Sequence, residues 1–121
     1  MQFVLLIYET PQAFATRTDD SDPYQAAWRA YYHELVRAGV YVDGLPLELP
    51  ETGTTVKLEA GKRRVQDGPF ADTKEQLAGF CLLELPSLDA ALEWAARCPA
   101  AAMGGVELRP VAPDVKQRLT R

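Results

Sequence analysis

Histidine occurs once and cysteine twice in this chain of 121 residues, and these scarcities exclude much familiar chemistry. A lone histidine with two distant cysteines builds no metal cluster, and no His/Cys spacing of that kind occurs. Two cysteines, Cys81 in a strand pattern and Cys98 at a helix end, make no disulfide framework. Neither a glycine-rich phosphate loop nor a serine nucleophile elbow is found, and no cofactor is expected. The 13 Lys and Arg residues are outnumbered by 17 Asp and Glu, a net charge of −4 without any dense basic block. A nucleic-acid backbone is therefore not expected as a direct partner. No apolar run spans a membrane: Met1–Tyr8 lacks a basic flank and meets Glu9 too early, so it reads as a strand. A cytoplasmic location is the expectation.

What is present fits one globular domain over residues 1–121, with 47% apolar and 25% charged residues and a polar tail from about Ala112. Phe3–Tyr8 is apolar on both alternating faces, the pattern of a strand covered on two sides. Glu9–Ser21 is polar and rich in Thr and Asp, and reads as a mobile loop. Asp22-Pro23 then opens a helix, with Asp22 as N-cap, Pro23 at the first helical position and Gln25 completing a capping box. Tyr24, Trp28, Tyr31, Leu35 and Ala38 form its inner stripe and Gly39 its stop. Val40–Leu49 reads as a strand interrupted near Gly44 and Pro46, and Thr54–Leu58 with Lys62–Gln66 as a hairpin around Ala60-Gly61. A strand over Gly79–Leu85 and a helix capped by Ser87, with Leu88, Ala91, Leu92 and Ala95 inward, come next. A small-residue link over Ala100–Gly105 leads into a last strand, Val106–Val111. The order is β-α-β-β-β-α-β. Two helices cover only one face of a sheet, yet Phe3–Tyr8 is apolar on both faces and Phe80 and Leu82 join Glu84 on one alternate face, so a second copy is the expected cover.

The chain turns sharply at Asp67-Gly68-Pro69-Phe70, where Gly68 permits positive φ and Pro69 fixes its own. Asp67 is the candidate catalytic residue: a base or hydrogen-bond acceptor for a small ligand, or the acceptor that holds its own turn. Trp28, Tyr31, Phe70, Phe80 and Arg109 are the candidate ligand-binding residues around it, the aromatics doubling as core. Lys74 and Glu75 read as a solvated pair after the loop, or a gate over it. Glu84, Glu107 and Arg109 point away from the apolar residues of their strands, toward a covered cavity or the wet side of an edge. His33 lies nine residues from Tyr24, half a turn off the inner stripe, and should face solvent.

Asp67–Phe80 closely resembles the DGPF signature of the YCII-related family, with Asp72 where Glu is usual. The resemblance extends to Phe3–Tyr8, Leu35–Leu49, Ser87–Pro99 and Val106–Val111, most of the chain in the expected order. It implies a ferredoxin-like α+β subunit that pairs into a dimeric α+β barrel. It also implies a homodimer with a small-molecule pocket, used for binding or for cofactor-free acid–base chemistry of the lyase or isomerase kind. The alternative it implies is a non-enzymatic accessory protein associated with alternative sigma factors. Some relatives pair a first-helix His with an Asp; counted back from Gly39 that position falls nearer Trp28 than His33, so the role does not carry over.

Overall fold

The computed structural model describes residues 1–121. Its centre is a four-stranded antiparallel sheet in the order β2-β5-β1-β6, formed by β1 (Gln2–Glu9), β2 (Tyr41–Pro46), β5 (Gln76–Glu84) and β6 (Gly104–Pro110). The long helices α2 (Pro23–Arg37) and α3 (Leu88–Arg97) each connect parallel strands that have another strand between them. This is the split β-α-β arrangement of a ferredoxin-like subunit. Four strands separate the long helices, one more than the order β-α-β-β-β-α-β counts, since the hairpin is two strands, β3 (Thr54–Glu59) and β4 (Lys62–Asp67), which pair only with each other outside the sheet. Ala60 and Gly61 both take positive φ, 49° and 77°, which suits the right-handed twist of a two-residue hairpin turn.

The alternation along β1 decides what lies inside. Phe3, Leu5, Ile7 and Glu9 are buried beneath the helices, while Val4, Leu6 and Tyr8 face the other way and are half-buried. Register places Leu83 and Cys81 beside Phe3 and Leu5 on the helix side, and Leu82 and Phe80 beside Val4 and Leu6 on the open side. Phe3, Leu5, Leu35 and Leu83 are fully buried, each contributing about 1.5–3 kcal/mol of apolar transfer energy. The helix α2 starts and stops as its sequence demands. The Asp22 carboxylate accepts from the Tyr24 N–H at 2.8 Å. At the other end the Gly39 and Val40 N–H groups donate to the Val36 and Leu35 carbonyls, with Gly39 at φ 74°. The capping box does not close. The Asp22 N–H is already held by the Asp19 carbonyl, and Gln25 reaches Thr16 Oγ1 instead, at 2.9 Å.

Four other segments differ from the sequence reading. The expected mobile loop after β1 contains a short helix, α1 (Pro11–Ala15), and a 3₁₀ turn at Thr16–Thr18. Thr10 caps α1 and Pro11 opens it, and Ala13 and Phe14 bury themselves in the core. On α3, Leu88 and Leu92 are exposed. The inward side is Ala91, Trp94, Ala95 and Cys98, anchored by the Tyr31 hydroxyl donating to the Trp94 carbonyl at 2.7 Å. The small-residue link forms α4 (Ala100–Met103), and the polar tail forms an exposed helix, α5 (Pro113–Leu119). No helix is long and apolar enough to cross a membrane.

Candidate functional site

Between α2 and the sheet lies a hollow of ≈ 470 Å³, a size suited to a small organic molecule. Its helix wall is aromatic: Trp28 meets Tyr31 edge-on with ring centres 5.8 Å apart, and Tyr32 meets Tyr41 of β2 at 5.1 Å. Its floor is made of small residues, Gly44, Ala78, Gly79 and Cys81, where β2 and β5 approach closely. Space remains because large rings on the helix face a floor with little side chain.

One end of the hollow is polar and built. Glu9 ends the inward row of β1 and is only 4% exposed. Its Oε2 accepts from the Tyr24 hydroxyl at 2.6 Å, a short charge-assisted bond, and its Oε1 lies 3.4 Å from Arg17 Nη2. Arg17 comes from the 3₁₀ turn and is held like a strut. Nη2 donates to the Ala78 carbonyl at 3.0 Å, Nη1 donates to the Leu47 carbonyl, and the guanidinium lies over the Phe14 ring at 4.8 Å. Burial, with the bond to Glu9, pushes the Tyr24 hydroxyl well above its ordinary range, so it stays protonated and remains a donor. Tyr31 is pushed up in the same direction, chiefly by burial. Burial also raises the thiols, Cys81 to about 11 and Cys98 to about 12, so neither offers a thiolate nucleophile near neutral pH.

The residues singled out in the sequence do not share one place. Trp28 and Tyr31 line the helix-side hollow, and Phe80 borders it although register turns its side chain to the open face. Phe70 lines a second hollow of ≈ 510 Å³, with Tyr8, Leu77 and Pro69, at the end of the open sheet face. Arg109 sits on the edge strand β6, exposed and paired with Glu107 at 3.0 Å. Asp67 is the last residue of β4, exposed and outside both hollows. Its carboxylate does not hold the turn. Backbone and neighbours do: the Gly68 N–H donates to the Gly53 carbonyl at 2.7 Å and Thr55 Oγ1 to the Gly68 carbonyl at 3.0 Å. Gln76 spans the rest of the loop by donating to the carbonyls of Ala71 and Thr73. His33 is exposed beside Tyr32, as its helical position predicts. Sequence reasoning passed over Glu9, Arg17 and Tyr24 as a set. The available signals were a carboxylate continuing the apolar row Phe3-Leu5-Ile7 and the Thr10-Pro11 helix start.

Fold and hollow together define a ferredoxin-like α+β subunit with a helix-side pocket. The YCII-related domain profile matches residues 1–114, and the chain belongs to that family. An uncharacterised protein of Rhizobium meliloti strain 1021 is 48% identical over 85 residues, covering 69% of this chain and 68% of that protein. Among solved structures, the 5-chloro-2-hydroxyhydroquinone dehydrochlorinase of Burkholderia phenoliruptrix AC1100, in complex with 2,5-dihydroxybenzoquinone, superposes with a TM-score of 0.52 at 20% identity. That match covers 93% of this chain and 94% of the other, and it places both in one fold.

Proposed function

We propose that this protein binds a small, mainly apolar organic molecule in the hollow between α2 and the sheet, with Glu9 and Arg17 as its polar end. The observation that carries this reading is a buried carboxylate at the end of an aromatic-walled space. A site of that kind orients a flat ligand by one or two polar contacts and holds it by apolar area. The reading extends to cofactor-free acid–base chemistry on that molecule, of the lyase or isomerase type, and locates it at Glu9 in preference to Asp67. The dehydrochlorinase of the same fold suggests a first probe, its ligand 2,5-dihydroxybenzoquinone. Titration should quench Trp28 emission with a dissociation constant in the micromolar to sub-millimolar range, about −5 to −8 kcal/mol. Cys81→Phe, which fills the floor, should weaken binding by about tenfold or more. An unquenched titration to millimolar probe would exclude this ligand, and a Cys81→Phe variant that binds as well as wild type would rule the site out.

The working unit in this reading is a homodimer, and the hairpin supports it. Register puts Val56, Leu58 and Val65 on one face of the hairpin with Thr54, Arg63 and Asp67, while the opposite face is wholly polar or charged. Those three apolar side chains are 58%, 74% and 57% exposed in the single chain. The open sheet face carries a second apolar surface, from Val4 and Leu6 to Phe80 and Leu82. A second copy covers both by the usual two-fold logic. It would also place Asp67 at the subunit boundary. Light scattering should return twice the 13.4 kDa chain mass, and Leu58→Asp should weaken association by about tenfold or more. A folded wild-type monomer at micromolar concentration would contradict the dimer.

A further inference from the structure

The polar end of the helix-side hollow restricts what enters it more narrowly than its size does. Tyr24 spends its proton on Glu9 Oε2, whereas Glu9 Oε1 has only the 3.4 Å contact to Arg17. A buried carboxylate oxygen so weakly matched is an acceptor waiting for a donor. Arg17 lies alongside, with both Nη atoms committed to Leu47, Ala78 and Glu9, while its Nε–H takes no part in those bonds. The two charges offset each other. A cationic amine brought to Glu9 would meet the guanidinium, and a carboxylate brought to Arg17 would meet Glu9. A pure hydrocarbon would seal Glu9 Oε1 away from water with nothing beyond its long contact to Arg17. A neutral hydroxyl satisfies all three constraints, and the walls of Trp28, Tyr31, Tyr32 and Tyr41 favour one carried by a flat conjugated ring.

We infer that the hollow selects a molecule with an acidic hydroxyl, a phenol or an enol, and that Glu9 accepts its proton. This rests on the small-molecule reading above and names its ligand class. In the step, the ligand O–H bond breaks and an O–H bond to Glu9 Oε1 forms. The electron pair stays on the ligand oxygen, which becomes an oxyanion beside the Arg17 guanidinium. No oxidant, metal or co-reactant enters the balance. Tyr24 is a positioning residue in this scheme: it fixes the carboxylate through Oε2 and leaves Oε1 for the ligand.

The test uses the whole chain and three naphthalenes of similar size: 2-naphthol, 2-methoxynaphthalene and the cationic 2-naphthylmethylamine. The naphthol should bind at least about tenfold more tightly than the ether, which lacks the donor, and more tightly than the amine. Excited 2-naphthol is a strong acid, and in a pocket shielded from water its emission shifts to the ionised, red-shifted band where a base stands next to its hydroxyl. That band should dominate in wild type and give way to the neutral band in Glu9→Gln. Tyr24→Phe keeps the ring but removes the bond that fixes the carboxylate, and should reduce both the ionised band and the preference for naphthol, by less than Glu9→Gln does. Should Glu9→Gln not fold, the binding ratios of wild type and Tyr24→Phe still decide. Equal affinity for naphthol and ether, tightest binding of the amine, or an ionised band unchanged in folded Glu9→Gln would overturn the inference and leave the pocket standing. Failure of all three to bind would remove the pocket and the inference together.

Discussion

Gly79→Ala is expected to destabilise the fold by about 2–3 kcal/mol and to weaken ligand binding with it. A Cβ on Gly79 would lie 2.6 Å from the Leu45 carbonyl oxygen and 3.1 Å from Pro46 Cα, both backbone atoms of β2. Backbone of a paired strand cannot rotate aside as a side chain does, so β2 would have to move outward. That movement reaches the site directly, because Arg17 spans the two strands between the Leu47 and Ala78 carbonyls. Gly105→Ala is the matched control, since a Cβ there meets nothing within 4 Å and the φ is not positive. It should stay within about 0.5 kcal/mol of wild type. Urea unfolding of the two variants, with the naphthol titration repeated on Gly79→Ala, provides the measurement. A Gly79→Ala variant as stable as Gly105→Ala would mean that β2 yields freely and that the close approach carries no strain.

The same glycine shows what the sequence makes legible. The Gly-aromatic start at Gly79-Phe80 belongs to the recognised motif run, and the alternation of Phe3–Tyr8 shows two apolar rows, of which the structure buries Phe3, Leu5 and Ile7 under the helices. Local rules carried α2 equally well, since its cap, proline and terminal glycine are chemistry within one turn of the chain. Where such rules compete with tertiary contacts, they misled. Gln25 sat at the capping-box position, yet Thr16, nine residues upstream, took its amide. Leu88 and Leu92 looked inward by hydrophobicity, but Trp94 and Ala91 fit the space beneath Tyr31 and the leucines did not.

The site was legible in its aromatic wall and illegible in its polar end. Trp28 and Tyr31 sit on a periodic stripe, so one helix wheel places both. Glu9, Arg17 and Tyr24 come from a strand end, a 3₁₀ turn and a helix start, and only the fold brings them together. Polar composition made Glu9–Ser21 read as a loop, although Thr10-Pro11 already announced a helix and Phe14 an anchor. Asp67 drew attention because a turn motif concentrates unusual residues. In the structure that turn is held by glycine backbone, Thr55 and Gln76, which frees the Asp67 carboxylate from holding it.

Raising the pH from 9 to 11 is expected to remove a large part of the folding stability, and four buried groups set the sign. Burial lifts Cys81 from 9.0 to about 11 and Cys98 from 9.0 to about 12, and it lifts Tyr24 and Tyr31 above their ordinary 10.0. In each case the fold disfavours the ionised form, while the unfolded chain releases the proton at the ordinary value. Stability is therefore unchanged by these groups below about pH 9 and falls as pH climbs toward their folded values. Each thiol should cost about 2 kcal/mol by pH 11 and each tyrosine about 1 kcal/mol, together of the order of a domain's whole stability. Urea melts at pH 7, 9, 10 and 11 measure the curve. Other groups titrate in this range too, so the decisive comparison is Cys98→Ala against wild type. Its loss between pH 9 and 11 should be smaller by about 2 kcal/mol, the share of one thiol, even though the variant starts lower for the lost core contact. Parallel curves would mean that Cys98 ionises as readily folded as unfolded, and so that the core beneath α3 admits water. A wild-type curve flat to pH 11 would say the same of the tyrosines and Cys81, and with them of the dry aromatic wall on which the ligand site depends.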